Sequence, residues 1–308
     1  MEVVRTVRCR LEVNQHEADV LRGTMSRFAA ACQDIRQVAL EHGTTDKIKL
    51  QHLCYREIKH TYGLQANLVS RAIARVAEAV KRKPGKVRPT SASLDQRTFR
   101  WIPKKEAVSV STHAGRLVLK TRIGNYQRHL LAGQKPPSAT LVFSPRTGDF
   151  YIHIVLSTPV PDPKGSRPVG VDRGLVNLAV LSNGVIFPGR AVLARRRHFR
   201  RLREALQRKG TKEAKRLLKR LAGKERRWMR DVNHVVSKRI VEMLEPGDIL
   251  VLEDLRHIRG RIKASKELRR DLHSWAFWEL ERFLRYKCAL RGHPVLDSDP
   301  THTSDNPP

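Results

Sequence analysis

Acidic residues are in short supply in this chain. Thirty Asp and Glu stand against 61 Lys and Arg in 308 residues, a formal net charge of +31. A solvated surface needs an excess of only a few charges, so this one calls for a polyanion. Phosphate backbone is the first choice, because each neutralised phosphate releases condensed counterions. A membrane surface fits less well, since the basic residues are not gathered into one short amphipathic segment. Cysteine is scarce too. Cys9, Cys32, Cys54 and Cys288 stand far apart with no CxxC and no His at ligand spacing, so nothing suggests a disulfide framework and no metal is expected from the cysteines. Cys32 and Cys54 fall on apolar helical faces and read as small buried thiols. Long apolar runs are missing: none approaches the ~18 residues of a membrane span, and MEVVRTVRCRLEV alternates where a signal peptide would be solidly apolar. The expectation is a cytoplasmic protein with no membrane partner. At 40% hydrophobic residues the composition is that of a globular chain, long enough for two cores.

Residues 3 to 13 alternate (Val3, Val7, Cys9, Leu11, Val13) as a strand does. Asn14-Gln-His-Glu17 reads as a capping box opening a helix, on which Leu21, Met25, Phe28, Cys32 and Ile35 recur at helical spacing. Two further helices are expected near 46–61 and 66–82, the second with Leu68, Val69, Ile73, Val76 and Val80 on one face. Lys81–Pro89 is a basic connector. From Ser93 to Thr158 the pattern is β, around the turn Pro145–Asp149. One strand, a helical insert (about 14–83) and then several strands suggest an interrupted β barrel over residues 1–158. Residues 159–168 (PVPDPKGSRP) read as a linker.

Beyond the linker, residues 169–308 change pattern. Pro168–Asp172 and Val176–Leu181 read as strands, Asn183-Gly184 as a hairpin turn into Val185–Phe187. A helical region spans about Ala191–Leu244, followed by the strand Asp248–Glu253, a helix from about Lys266 to Arg291, and a short strand at Pro294–Leu296. The order β-β-β-α-β-α-β is that of an RNase H-like mixed sheet without its last helix. In that sheet order the first and fourth strands are neighbours, which brings Asp172 near Glu253 across 81 residues of sequence. Two carboxylates at one strand end repel unless a divalent cation lies between them, the arrangement of a Mg²⁺ site holding a phosphate. The alternative is a pair of ordinary strand-end acids neutralised by Arg173 or Arg256.

Between Arg190 and Arg230 lie eighteen Lys or Arg and three Glu. Leu202, Leu206, Leu217, Leu218 and Leu221 form a narrow apolar seam, with Gly210-Thr211 a turn between two helices. Solvated helices mix charge signs and this pair does not, so it is expected to contact phosphates. By density the candidates are Arg195, Arg196, Arg197, Arg200, Arg201, Lys215, Arg216, Lys219, Arg220 and Arg227. Trp228, Val232, Val235, Val236, Ile240 and Met243 mark a face that packs on the sheet. His234 lies off that stripe and reads as a surface or hydrogen-bonding histidine.

Four segments together, GVDRGLVNLAVLSNG (170–184), RDVNHVVSKRIVE (230–242), ILVLEDLRHIRGR (249–261) and SWAFWELERFLRYKCALRGHPV (274–295), resemble TnpB. This is the family of transposon-encoded RNA-guided nucleases, related to type V CRISPR effectors and known also as transposases. The resemblance covers roughly 168–304, and residues 1–158 are a looser match to the family's wedge and recognition domains. It implies an α+β or α/β chain of two domains: a wedge-like β barrel with a helical recognition insert, then a RuvC-like nuclease sheet. It implies Asp172 and Glu253 as the first two acids of a Mg²⁺-dependent nuclease centre, with a guide RNA and target double-stranded DNA as partners. In the family a zinc ribbon with two CxxC pairs and a helix bearing a third catalytic Asp follow. Here the sequence ends in TSDNPP, so no zinc is expected, and Asp297, Asp299 and Asp305 do not replace the third acid. The expectation is a truncated endonuclease of weak or no activity, or else an RNA-guided binder that acts by occupying its target.

Overall fold

The computed structural model describes residues 2–82, 91–255 and 277–298. The rest of the connector (83–89), Arg256, the 266–276 part of the last expected helix with Trp275, and Asp299 and Asp305 lie outside them. The chain divides into two compact units, Glu2–Thr158 and the residues from Pro159 onward.

In the first unit β1 (Glu2–Glu12) turns Val7, Cys9 and Leu11 inward. Then come α1 (Gln15–Glu41), α2 (Lys47–Tyr62) and α3 (Ala66–Lys81). The capping box is present: the Asn14 side chain accepts from the Glu17 amide and the Glu17 carboxylate from the Asn14 amide, both at 2.9 Å. Asp46 caps α2, accepting from Ile48 N at 2.7 Å and Lys49 N at 2.9 Å. The apolar stripe of α1 (Leu21, Met25, Phe28, Cys32, Ile35) is buried against that of α3 (Leu68, Val69, Ile73, Val76).

The chain then adds β2 (Ser91–Asp95), β3 (Phe99–Ile102), β4 (Ala107–Thr112), β5 (Gly115–Arg122), α4 (Asn125–Leu131), β6 (Ser138–Ser144) and β7 (Asp149–Pro159). With β1 the strands make one sheet in the order β2-β6-β7-β1-β5-β4-β3. Its two ends, β2 and β3, are only three residues apart in sequence (96–98), so this antiparallel sheet curls on itself. The short helix α4 escaped the sequence reading; its signal is Gln127, whose side chain accepts from the Gly124 amide at 3.0 Å.

The second unit contains β8 (Gly165–Asp172), β9 (Asn177–Leu181), β10 (Ile186–Pro188), α5 (Arg190–Lys209), α6 (Lys212–Met243), β11 (Gly247–Glu253), α7 (Phe277–Arg291) and β12 (Val295–Ser298). The sheet order is β10-β9-β8-β11-β12, antiparallel on the β9 side and parallel on the β11 side. The expected linker is shorter than read, because residues 165–168 already belong to β8. Gly165 opens the strand where a Cβ would lie 2.8 Å from an Ile249 side-chain carbon and 2.9 Å from the Gly247 carbonyl. Pro168 is tolerated for a related reason. Gly170 exchanges hydrogen bonds with Ser182 on the β9 side, and Pro168 presents the same edge two residues earlier, beyond the β8–β9 register. Its missing N–H therefore costs no ladder bond.

Val169, Val171, Leu250 and Leu252 pack with Ile240, Val241, Leu280, Leu284 and Cys288 into this unit's core. The α6 stripe differs from expectation at two positions: Val235 and Met243 are exposed. Asn233 and Ser237 are buried in their place because both bond to α7, Asn233 to Glu279 at 2.9 Å and Ser237 to Lys287 at 2.7 Å. All four cysteines are buried free thiols, and burial pushes Cys9 and Cys54 up to about 11 and Cys32 and Cys288 up to about 12. No described helix is long and apolar enough to cross a membrane.

Candidate functional site

Strand β8 lies parallel to β11, and their register runs Leu250 to Val169, Val251 to Gly170 and Leu252 to Val171. One step further along both strands stand Asp172 and Glu253. Adjacent strands are about 4.8 Å apart and side chains alternate between faces. Since Leu252 and Val171 point into the core, Asp172 and Glu253 share the opposite face. Asp172 is exposed and Glu253 half-buried. The structure thus brings the two sequence-predicted acids together at one strand end.

Arg173, the alternative partner for the acids, reaches α7 and β11. Its side chain is fully buried and aims at α7, where one Nη donates to Glu281 at 3.1 Å. The other Nη donates to the main-chain carbonyl of Glu253. Glu281 also accepts from Arg285 at 3.0 Å, and Arg285 pairs with Asp297 on β12. Asp297 is in register with Leu252, and Ser298 with Glu253, so Asp297 is on the core face and not beside the acid pair. Sequence reasoning missed Glu281; the signal was a pair of acids, Glu279 and Glu281, early in an otherwise apolar and basic helix.

The basic hairpin has the predicted turn. Gly210, in the left-handed region at φ +65°, ends α5, and Thr211 caps α6 by accepting from Ala214 N at 3.1 Å. Its seam is thinner than expected, since Leu202 and Leu217 are exposed. Other contacts bind the two helices: Arg203 pairs with Glu225, Phe199 packs 5.9 Å from Trp228, and Arg195 lies 4.7 Å over the Trp228 ring. Of the ten phosphate candidates, Arg195, Arg197, Arg201, Lys215, Arg216, Lys219, Arg220 and Arg227 are exposed and Arg200 is half-buried. Arg196 is buried. It lies three residues from Phe199 on the inner face of α5, so the helical period removes it from the phosphate-facing set.

His234, read as a surface or hydrogen-bonding histidine, is half-buried. Its ring stacks on Phe283 at 3.9 Å, and burial, with Lys287 and Arg230 nearby, holds its pKa below the usual histidine value. Lys287 donates at 2.7 Å to the His234 carbonyl and to the Ser237 hydroxyl. Burial, then the charge of Lys238, lowers it to about 8. Folding thus favours the neutral amine, and above that pKa the unfolded chain binds more protons than the folded one. Stability contributed at this position is expected to rise from about pH 8 to about pH 10. Urea midpoints of the wild type should gain on those of Lys287→Met across that range; parallel curves would refute the assignment.

Residues 151–256 match the family model OrfB_IS605, described as "Probable transposase". A TnpB-like protein of Methanocaldococcus jannaschii, MJ0751, is 34% identical over 112 residues, which cover 35% of this chain and 40% of that protein. Over this stretch the chain is similar to TnpB-like proteins. A second relative, named "Putative RNA-guided DNA endonuclease InsQ" in Escherichia coli K12, is 29% identical over 182 residues, 51% of this chain and 44% of its own length. The chain therefore spans less than half the length of these curated relatives. In three dimensions it is similar to a chain of the cryo-EM structure of the Cas12f1–sgRNA–target DNA complex. The TM-score is 0.68 over 95% of this chain and 75% of that one, and at 13% identity the likeness is one of fold. The stretch matching the transposase model holds β8, the α5–α6 hairpin and β11, and with them Asp172, Glu253 and all ten basic candidates.

Proposed function

We propose that this chain is an RNA-guided DNA endonuclease of the TnpB type, with its nuclease centre in the second unit. The observation that carries the reading is the parallel pairing of β8 with β11, which sets Asp172 beside Glu253 inside the TnpB-like stretch. In this reading residues 169–308 form a RuvC-like, RNase H-like domain, and residues 1–158 a wedge-like β barrel with a recognition insert at about 14–83. The donor set fits a hard divalent ion: two carboxylates on neighbouring strands, the number Mg²⁺ commonly takes from protein while keeping water and phosphate oxygens. Among the described residues no cluster of three or more His, Cys, Asp or Glu forms. When bound there, Mg²⁺ would neutralise charge on the scissile phosphate. Asp172 and Glu253 would hold it, and the exposed arginines and lysines of α5 and α6 would fix the backbone through phosphate contacts that carry no sequence information. Sequence would be read by base pairing to a guide RNA, a partnership supported by the relatives' names and by the sgRNA and target DNA of the Cas12f1 complex.

A second reading, target occupancy without cutting, is favoured by one observation. Asp297, the acid nearest in the sheet, is tied to Arg285 on the opposite face. Both readings are tested by purifying the chain with its co-purifying RNA and challenging a plasmid carrying the RNA's complement. Mg²⁺-dependent cutting that disappears in Asp172→Ala supports the nuclease. RNA-dependent binding with no cutting by either protein supports the occupancy reading. Binding indifferent to the RNA overturns both.

A further inference from the structure

We propose that Arg173 and Glu281 are a positioning couple for the Asp172–Glu253 pair, an inference that rests on those acids holding a divalent cation. Arg173 directly follows Asp172, and its guanidinium lands on the other acid's own backbone, the carbonyl of Glu253. A single rigid, planar side chain therefore ties the C-terminal ends of β8 and β11 to each other, at the residues that carry the carboxylates. A charge-assisted bond of this kind is stronger than the neutral ladder bonds it extends. With its side chain fully buried, Arg173 has little freedom to let the two strand ends drift apart.

Charge makes the second half of the case. A buried arginine beside a cation site repels the cation unless it is neutralised. Glu281 supplies that charge, with one carboxylate oxygen on Arg173 at 3.1 Å and the other on Arg285 at 3.0 Å. Asp297 pairs with Arg285 in turn. The row Asp297–Arg285–Glu281–Arg173 alternates in sign and is neutral in sum, running from β12 across α7 to β8. The positive group that orders the strand ends carrying Asp172 and Glu253 is thus balanced from behind. The same row accounts for Asp297: its partner is an arginine of the support.

The test uses the full chain and Mn²⁺ as probe, with free Mn²⁺ followed by electron paramagnetic resonance and with melting curves recorded beside each titration. Asp172→Asn identifies the site by weakening Mn²⁺ binding. Glu281→Gln keeps the shape and the acceptor but removes the charge, and Arg173→Lys keeps the charge but loses the fork. Each is expected to raise the Mn²⁺ midpoint about tenfold, the usual effect of removing a partner behind a ligand, at temperatures where the melting curves show the variants folded. A role confined to stability would move the melting curves and leave the Mn²⁺ midpoint alone. Should Arg173→Lys not fold, the isosteric Glu281→Gln still decides. Midpoints within about twofold of wild type, with Asp172→Asn weakened, overturn the positioning role only. Mn²⁺ binding unaffected by Asp172→Asn overturns the acid-pair reading, and the positioning role with it.

Discussion

Raising the salt from about 50 to about 200 mM is expected to weaken the binding of this chain to non-specific duplex DNA about a thousandfold. The slope of log affinity against log salt is about −0.9 for each phosphate neutralised. Six contacts from the hairpin, fewer than its eight exposed candidates, give a slope near −5 and that loss over a fourfold change in salt. Lys215, Arg216, Lys219 and Arg220 form two rows one helical turn apart on α6, all exposed and none of them needed for the helix–helix seam. Changing these four to Gln should flatten the slope by about 3 to 4 and weaken binding equally on every sequence. Arg196→Gln serves as the contrast: its side chain is buried, so the slope should hold while stability falls. Fluorescence anisotropy over a salt series reads both. An unchanged slope in the fourfold variant would locate the phosphate contacts elsewhere on this strongly basic chain.

Phe28→Ala is expected to cost the first unit about 3 to 5 kcal/mol, enough to threaten a domain of ordinary stability. Phe28 is completely buried in the middle of the α1 stripe, between Met25 and Cys32. Arg75 of α3 sits 5.8 Å over the ring and donates two 2.9 Å hydrogen bonds to Ser91 at the start of β2. The ring therefore lies at a junction of two helices and a strand, each held by its own hydrogen bonds. Such surroundings cannot collapse into the space a lost ring leaves, and an uncollapsed cavity sets the upper end of the cost. Phe28→Leu, which refills most of the volume, should cost far less. Urea unfolding with a probe in the first unit measures both; near-equal losses would mean that burial of the ring is not what holds the insert to the strands.

Much of the fold depends on local chemistry and was legible in the sequence. The Asn14–Glu17 capping box, the stripe from Leu21 to Ile35, the Gly210-Thr211 break and the alternation of β1 each reflect a period or a cap that acts over a few residues. Positions governed by distant partners could not be read that way. Asn233 and Ser237 were not in the expected α6 stripe; their burial follows from the acceptor and donor that α7 supplies. Residues 165–168 looked like linker because nothing in them shows β11 waiting alongside. Arg173 could be read only as one of two alternative partners for the acids; its burial and its contact with Glu281, 108 residues away, follow from no local pattern.

The candidate site divides in the same way. By itself the sequence determined the acids, the basic hairpin and the order of elements that makes the first and fourth strands neighbours. Those follow from residue type, spacing and the short list of ways a mixed sheet can be wound. Only the tertiary structure decided the register that aligns Asp172 with Glu253, the face they share, the removal of Arg196 from the phosphate set and the attachment of Asp297 to Arg285. Register and facing are set by which side chains fill the core between sheet and helices. That packing couples residues with no relation along the chain, so no local pattern records it.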